Sequence, residues 1–174
     1  MLILMAGLPG SGKTTLCREL ALRLGGPVLN TILNKDEIRA ALFSPERIEY
    51  STEQDDFCQK IMLETAVYIL DKHPEQRVFL DGRTLSKSYQ IKQAIAAAER
   101  LKQPWRILEC VCSDETARQR LEAQAGEHPA MNRNYELYIR LKREFEEINF
   151  PKAVINTDRE LEDSVLLAQK ELEG

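Results

Sequence analysis

The stretch Met1-Leu2-Ile3-Leu4-Met5-Ala6-Gly7-Leu8-Pro9-Gly10-Ser11-Gly12-Lys13-Thr14-Thr15 decides the fold. Leu2 to Ala6 is a short unbroken apolar run, the pattern of a strand buried on both faces of a parallel sheet. From Thr14 to Leu24, apolar residues recur at Leu16, Leu20 and Leu24, a helical spacing closed by Gly25-Gly26. Between strand and helix, Gly7 to Thr14 matches G-x-x-x-x-G-K-[ST] in full. The residue types follow from phosphate chemistry. Glycines at 7, 10 and 12 permit a backbone geometry and a close approach that side chains would block. The turned backbone aims successive N–H groups inward, and the helix start adds the positive end of its dipole. The run Gly7, Pro9, Gly10, Ser11, Gly12, Lys13, Thr14 and Thr15 is therefore predicted to bind ATP. Lys13 reaches the β- and γ-phosphates in this reading, and the Thr14 hydroxyl ligates Mg²⁺. The competing reading, a glycine-rich turn with a solvated lysine, does not explain the complete pattern in its complete strand-to-helix context.

Strand and helix signals alternate outward from this stretch. Residues 27–30 read as a second strand and 35–43 as a short helix ended near Pro45. A longer helix is predicted over Thr52–Lys72, with the stripe Phe57, Ile61, Ala66, Ile69 and Leu70 and a possible capping box at Ser51-x-x-Gln54. Residues 77–80 form a third strand, 86–101 a helix, 106–111 a fourth strand, and 114–123 and 134–148 two more helices. A fifth strand over 153–156 leads to a final helix opened by Thr157-x-x-Glu160. This alternation predicts an α/β, P-loop NTPase-type three-layer sandwich. Its sheet is five-stranded and mainly parallel, with helices on both faces and a small helical lid. Ligands then gather beyond the carboxyl ends of the strands, and strand two is expected to adjoin strand one.

Length and composition agree. The 174 residues suit a single domain spanning 1–174, and 43% hydrophobic with 30% charged residues describes a soluble globular chain. No apolar run approaches the roughly 20 residues of a spanning helix. The apolar start lacks a basic leader segment, so no membrane role is expected and the location reads as cytoplasmic. Four cysteines without CxxC spacing and only two histidines, His73 and His128, suggest reduced thiols and no zinc site. A net charge of −4 disfavours nucleic acid as a partner, though a local basic pocket remains compatible with it.

Two further segments carry chemistry. Arg77-Val78-Phe79-Leu80-Asp81 is an apolar strand ending in an acid, which places Asp81 beside Mg²⁺ or the acceptor; a turn-forming Asp before Gly82 is the bland alternative. Asn34-Lys35-Asp36-Glu37-Ile38-Arg39 follows strand two, and Asp36 and Arg39 share a face at a helix start. A carboxylate there can accept a hydroxyl proton while a guanidinium steadies acceptor or phosphate. Acids placed for the helix dipole explain the same spacing equally well. Arg83 and Lys87 hint at an anionic acceptor, or at no more than a solvated loop.

Taken together, the P-loop, the N-[KR]-D-x-x-R segment and the strand-ending Asp81 resemble the kinase domain of polynucleotide 5′-hydroxyl kinases. They also resemble small P-loop kinases of the zeta-toxin-like, chloramphenicol phosphotransferase-like and gluconate kinase-like types. The resemblance implies that Asp36 is the general base and that Arg39 contacts the acceptor side. It implies a lid over about 118–134, entered by Arg118-Gln119-Arg120-Leu121, which is similar to the family's R-x-R-L. Arg118 and Arg120 become candidate ATP contacts and Arg120 a candidate catalytic group, although residues two apart on a helix cannot both point one way. A solvated helix face is the bland alternative for both. The family's next arginine falls at Gln124 here, with Arg133 a possible substitute beyond the 126–129 break. In similar kinases the loop matching Asn156-Thr157-Asp158 borders the adenine.

The expected function is an ATP- and Mg²⁺-dependent kinase. It would transfer the γ-phosphoryl group to a hydroxyl of a small molecule or of a nucleic-acid 5′ end. The alternative is an ATP-binding regulatory or ATPase module, and a toxin-like kinase checked by a partner protein is a third form. Trp105 and the Tyr135, Tyr138, Leu141, Phe145 pattern read as packing residues.

Overall fold

A computed structural model describes residues 1–123 and 134–173. In chain order its elements are β1 (Leu2–Ala6), α1 (Lys13–Arg23), β2 (Asn30–Asn34), α2 (Lys35–Leu42), α3 (Thr52–Lys72) and β3 (Arg77–Asp81). They continue with α4 (Ser88–Arg100), β4 (Trp105–Val111), α5 (Asp114–Ala123), α6 (Tyr135–Glu144), β5 (Ala153–Asn156) and α7 (Leu161–Glu173). The strands form one sheet in the order β2-β3-β1-β4-β5, and every neighbouring pair is parallel. The expected mainly parallel sheet is thus wholly parallel. Strand two does not adjoin strand one: β3 lies between them, with Asn34 opposite Asp81 and Leu4 opposite Leu80.

Side-chain alternation along β1 builds two cores. Leu2, Leu4 and Ala6 face Met62, Ala66 and Leu70 of α3 and Ile91, Ala94 and Ile95 of α4. Ile3 and Met5 face the other way, onto Leu16 and Leu20 of α1 and Val165, Ala168 and Leu172 of α7. Both faces of the strand are therefore apolar, and continuous apolarity is the signature of a sheet covered twice. A third, small core joins Ala117 and Leu121 of α5 to Tyr138 of α6, beside Leu8 of the P-loop.

Several boundaries differ from the sequence reading, each for a local reason. Residues Gly26–Val28 form a 3-10 turn in place of a strand, with Val28 and Leu29 exposed. Strand β2 starts only at Asn30, whose side-chain amide donates to the carbonyls of Ala21, Leu24 and Gly26. In α3 the buried face is Cys58, Met62, Ala66 and Leu70, while Phe57 stays half exposed in edge contact with Phe43. The Ser51 side chain does cap this helix, accepting from the Gln54 N–H at 3.1 Å. Helix α6 ends at Glu144, not at 148, because Phe145, Ile148 and Phe150 turn into the α3–α4 core. The Glu146 N–H then donates to the Ser86 carbonyl, and its carboxylate accepts from the Ser88 N–H. Helix α7 starts at Leu161, so Thr157 is not its cap.

Gly7 is where the sheet hands over to the P-loop. Its φ of +130° lies in the region that favours glycine, and a Cβ there would come 2.2 Å from the Cys110 carbonyl oxygen of β4. Gly7→Ala should therefore lower unfolding free energy by about 2 kcal/mol or more, combining backbone strain with a clash against main chain that cannot yield. Urea unfolding of the two proteins checks this; an unchanged midpoint would show that the strand end relaxes freely.

Candidate functional site

The P-loop wraps the carboxyl end of β1. Gly7 donates its N–H to the Thr84 carbonyl at 3.1 Å, and Gly12 takes the left-handed conformation just before α1. Lys13 lies over the loop, its ammonium donating to the Gly7 carbonyl at 2.7 Å and the Leu8 carbonyl at 2.8 Å. Gly10 rests against α5, where a Cβ would meet the Ala117 carbonyl at 2.8 Å. Arg120 reaches back from α5, donating to the Gly10 carbonyl at 3.3 Å and to the Thr157 hydroxyl and carbonyl at 3.0 and 2.7 Å. Thr157 in turn donates to the Ser11 carbonyl at 3.0 Å, which explains its burial without a capping role. Arg118, two residues earlier, points elsewhere: it pairs with Glu122 at 2.9 Å, sits over the Tyr135 ring and does not line the cleft.

Asp81 is fully buried at the end of β3. One carboxylate oxygen accepts from the Thr14 hydroxyl at 2.7 Å and from the Asn34 amide at 2.8 Å. The other oxygen is buried with no hydrogen-bond partner among the described residues. Asn34 does double service, because its own carbonyl oxygen caps α2 by accepting from the N–H groups of Asp36 and Glu37. Sequence reading included Asn34 in the Asn34–Arg39 motif but gave it no role of its own. Its signal was available: an Asn directly before an acid-rich helix start is a cap.

The donor set suits Mg²⁺. A hydroxyl and a carboxylate with an uncommitted oxygen, side by side at the P-loop, are hard oxygen ligands. No group of three His, Cys, Asp or Glu residues that could hold a metal occurs among the described residues. Mg²⁺ there would be held by Thr14 and Asp81, with phosphate oxygens and water as its further ligands.

Across the cleft, Asp36 and Arg39 sit on one face of α2. Arg39 is almost fully buried, donates to Asp36 at 3.1 Å, pairs with Asp55 of α3 and lies 5.2 Å from the Tyr50 ring centre. Lys35 joins the same network, 3.3 Å from Asp36 and 3.0 Å from Asp55. Burial pulls its ammonium from 10.5 to about 8, with Asp36 opposing the fall and Arg39 and Arg83 adding to it. Arg83 and Lys87 do not face this cleft as anion-seeking cations. Arg83 is buried against the Asp55 carbonyl and the Asp56 carboxylate, and Lys87 binds the Glu144 carbonyl and Glu146. Both residues fasten elements together.

A cleft of about 830 Å³ connects the two halves, lined by Lys13, Thr14, Asp36 and Arg39 together with Arg120 and Tyr50. Leu137, Arg140, Leu141 and Glu144 present one face of α6 to it, at the i, i+3, i+4, i+7 spacing of a helix stripe. Arg140 and Arg159 were missed by sequence reading, which sought lid arginines between 118 and 134. Gln124, Arg133 and most of the proposed lid lie outside the described residues.

Comparison with known proteins adds fold and family. Chaetomium thermophilum Kti12, solved with ADP-AlF3, superposes with a TM-score of 0.75 at 20% identity, covering 99% of this chain and 97% of that one. The Mycobacterium tuberculosis APS kinase CysC, solved with AMPPNP and APS, gives 0.73 at 16% identity, with 99% and 97% covered. A gluconokinase from Sinorhizobium meliloti gives 0.70 at 13% identity, with 98% and 90% covered. No curated protein matches the chain in sequence. The family model described as an AAA domain matches residues 2–148. With most of its length inside that match, and with the P-loop, the Asp81 strand and the α2 network all within it, the chain belongs to the AAA domain family.

Proposed function

We propose that the protein is an ATP-dependent kinase that phosphorylates an acceptor hydroxyl. The observation that carries this reading is a second charged site across the cleft from the P-loop. Asp36 is held there by Lys35 and Arg39 and lines the same cavity as Lys13 and Thr14. A transferase needs a carboxylate placed to take the acceptor proton, and Asp36 is placed for that task. The fold shared with APS kinase and gluconokinase is consistent with it. The alternative, an ATP-binding regulatory or ATPase module, draws on the likeness to Kti12.

In this mechanism the phosphates of ATP lie along the P-loop N–H groups, and Lys13 exchanges its contacts with the Gly7 and Leu8 carbonyls for phosphate oxygens. Bound Mg²⁺ would supply charge neutralisation, held at the Thr14 hydroxyl with Asp81 behind it. The acceptor hydroxyl donates its hydrogen bond to Asp36. As its oxygen bonds to the γ-phosphorus, the bond to the β–γ bridging oxygen breaks, ADP leaves, and the hydroxyl proton passes to the Asp36 carboxylate. Arg39 and Lys35 fix the position of that carboxylate. Arg120 and Arg140 bring positive charge to the transferring group, a task in which Arg118 has no part. The acceptor is a small molecule or a nucleic-acid 5′ end, and the net charge of −4 favours the former.

Asp36→Ala should lower acceptor-dependent turnover by about 10²–10⁴-fold while leaving ATP affinity almost unchanged. Lys13→Ala should weaken ATP binding by about 10–100-fold. ADP release measured against a panel of hydroxyl acceptors, with ATP titrations alongside, tests both. Turnover indifferent to every acceptor and to Asp36→Ala would favour the ATPase reading.

Lys35 adds a pH signature. Its ammonium faces Asp36 and Arg39 on α2, Asp55 on α3 and Arg83 after β3, and it loses its proton near pH 8. Activity should fall as pH rises through about 8, because Asp36 and Asp55 then lose a balancing cation. Stability moves the other way. Between about 8 and 10.5 the unfolded chain holds more protons at this lysine, so its contribution to stability rises with pH. An alkaline limb in kcat/KM with no drop in melting temperature, shifted upward in Lys35→Arg, is the expected result. A limb unmoved by Lys35→Arg would assign it to another group.

A further inference from the structure

We infer that the acceptor is a neutral, polyhydroxylated small molecule, and that Asp55 is the residue that turns anionic acceptors away. The inference rests on the kinase reading above and concerns the charge of the acceptor wall. Lys35, Asp36, Arg39 and Asp55 line the cleft beside Tyr50, two cations and two carboxylates in one connected network. Asp55 bridges both cations. It therefore already occupies the position against Lys35 and Arg39 that the carboxylate, sulfate or phosphate of an anionic acceptor would need.

Asp55 is also held in place. It lies in the first turn of α3, where the helix dipole favours a carboxylate, and its own carbonyl accepts from buried Arg83. Two cations further out are paired as well. Arg83 pairs with Asp56, which also accepts from the Tyr89 hydroxyl, and Arg18 pairs with Glu37. Arg120 and Arg159 belong to α5 and to the loop after β5, on the far side of β1 from β2 and α2. Arg140, on α6, lines the cleft and in the mechanism above serves the transferring phosphoryl group, not the acceptor wall. The two cations and two carboxylates of this network balance, so an anion seated against it would lie beside Asp36 and Asp55 with no net positive charge from the four to favour it.

A polyol meets this wall on better terms. Each hydroxyl both donates and accepts, so it can give a hydrogen bond to a carboxylate while taking one from Lys35 or Arg39. The exchange leaves every charge with its partner. The Tyr50 ring, already against the Arg39 guanidinium, offers an apolar flank for carbon-bound hydrogens.

The test uses matched acceptor pairs with the full-length protein and Mg-ATP. Neutral sugars and sugar alcohols are compared with the aldonates and sugar phosphates of the same skeletons, and with a 5′-hydroxyl oligonucleotide. The wild-type protein should favour the neutral member of each pair by about tenfold or more in kcat/KM, a gap of the size one unpaired charge produces. Asp55→Asn should shrink that ratio by about as much, through better use of the anionic member. The ratio is the readout because general damage to folding lowers both members together, and the wild-type series decides the matter even if the variant does not fold. Better use of the anionic members by the wild-type protein, or a ratio untouched by Asp55→Asn, would overturn the inference while leaving the kinase reading standing. If ATP binds and no acceptor of either charge raises turnover, the kinase reading itself fails and the inference with it.

Discussion

Asp81 is a carboxylate with no exposed surface, and three elements converge on it. Its strand, β3, lies between β1 and β2; its oxygen takes a hydrogen bond from Thr14 at the start of α1 and another from Asn34 at the start of α2. A buried charge needs such partners, since leaving it unpaired is among the costliest defects a fold can carry. The P-loop side and the α2 side of the cleft are therefore hung from one group. The parallel register that sets Asn34 opposite Asp81 is what makes the shared contact possible.

That arrangement explains why β3 is inserted between β1 and β2. With strand two beside strand one, Asn34 and Thr14 would not be brought to a common carboxylate on an intervening strand. The insertion also sets β2 and α2 one strand away from β1, with the cleft of about 830 Å³ lined from both sides. Gly82 permits the tight passage out of β3: its φ is +86°, and a Cβ there would stand 2.9 Å from the Lys35 nitrogen. Backbone approach at that point is what lets α2 begin directly over the end of β3.

Much of this was legible in the residue string, and the parts that were not share a cause. Local signals worked where one strong pattern dominated, as in the P-loop, the apolar β1 and β3, and the Ser51 cap of α3. They failed where a contact from far along the chain set the outcome. Thr157 looks like a helix cap, but Arg120 and the Ser11 carbonyl, distant in sequence, claim its hydroxyl. Arg83 looks like a cleft cation until Asp56 and the Asp55 carbonyl enclose it. Val28 and Leu29 look like strand residues, yet the amide of Asn30 ties the chain to the end of α1 and delays the strand. Arg140 went unnoticed because its role depends on where the α6 face points, which tertiary packing alone decides.

The contact between Gly10 and α5 has a mechanical side. With no side chain at Gly10, the backbone of Ala117 and the side chain of Leu121 rest almost directly on the phosphate loop, and Arg120 grips it from the same helix. At Ala117 the contact is main chain against main chain, so a tilt of α5 there bears on the loop backbone with no side chain between them. Were phosphate binding to shift the loop at Gly10, the contact would pass strain to α5, and a change in α5 would bear on phosphate affinity through the same contact. The loop and this helix thus behave as a lever and its fulcrum, coupled by contact over a few ångströms without any hinge between them.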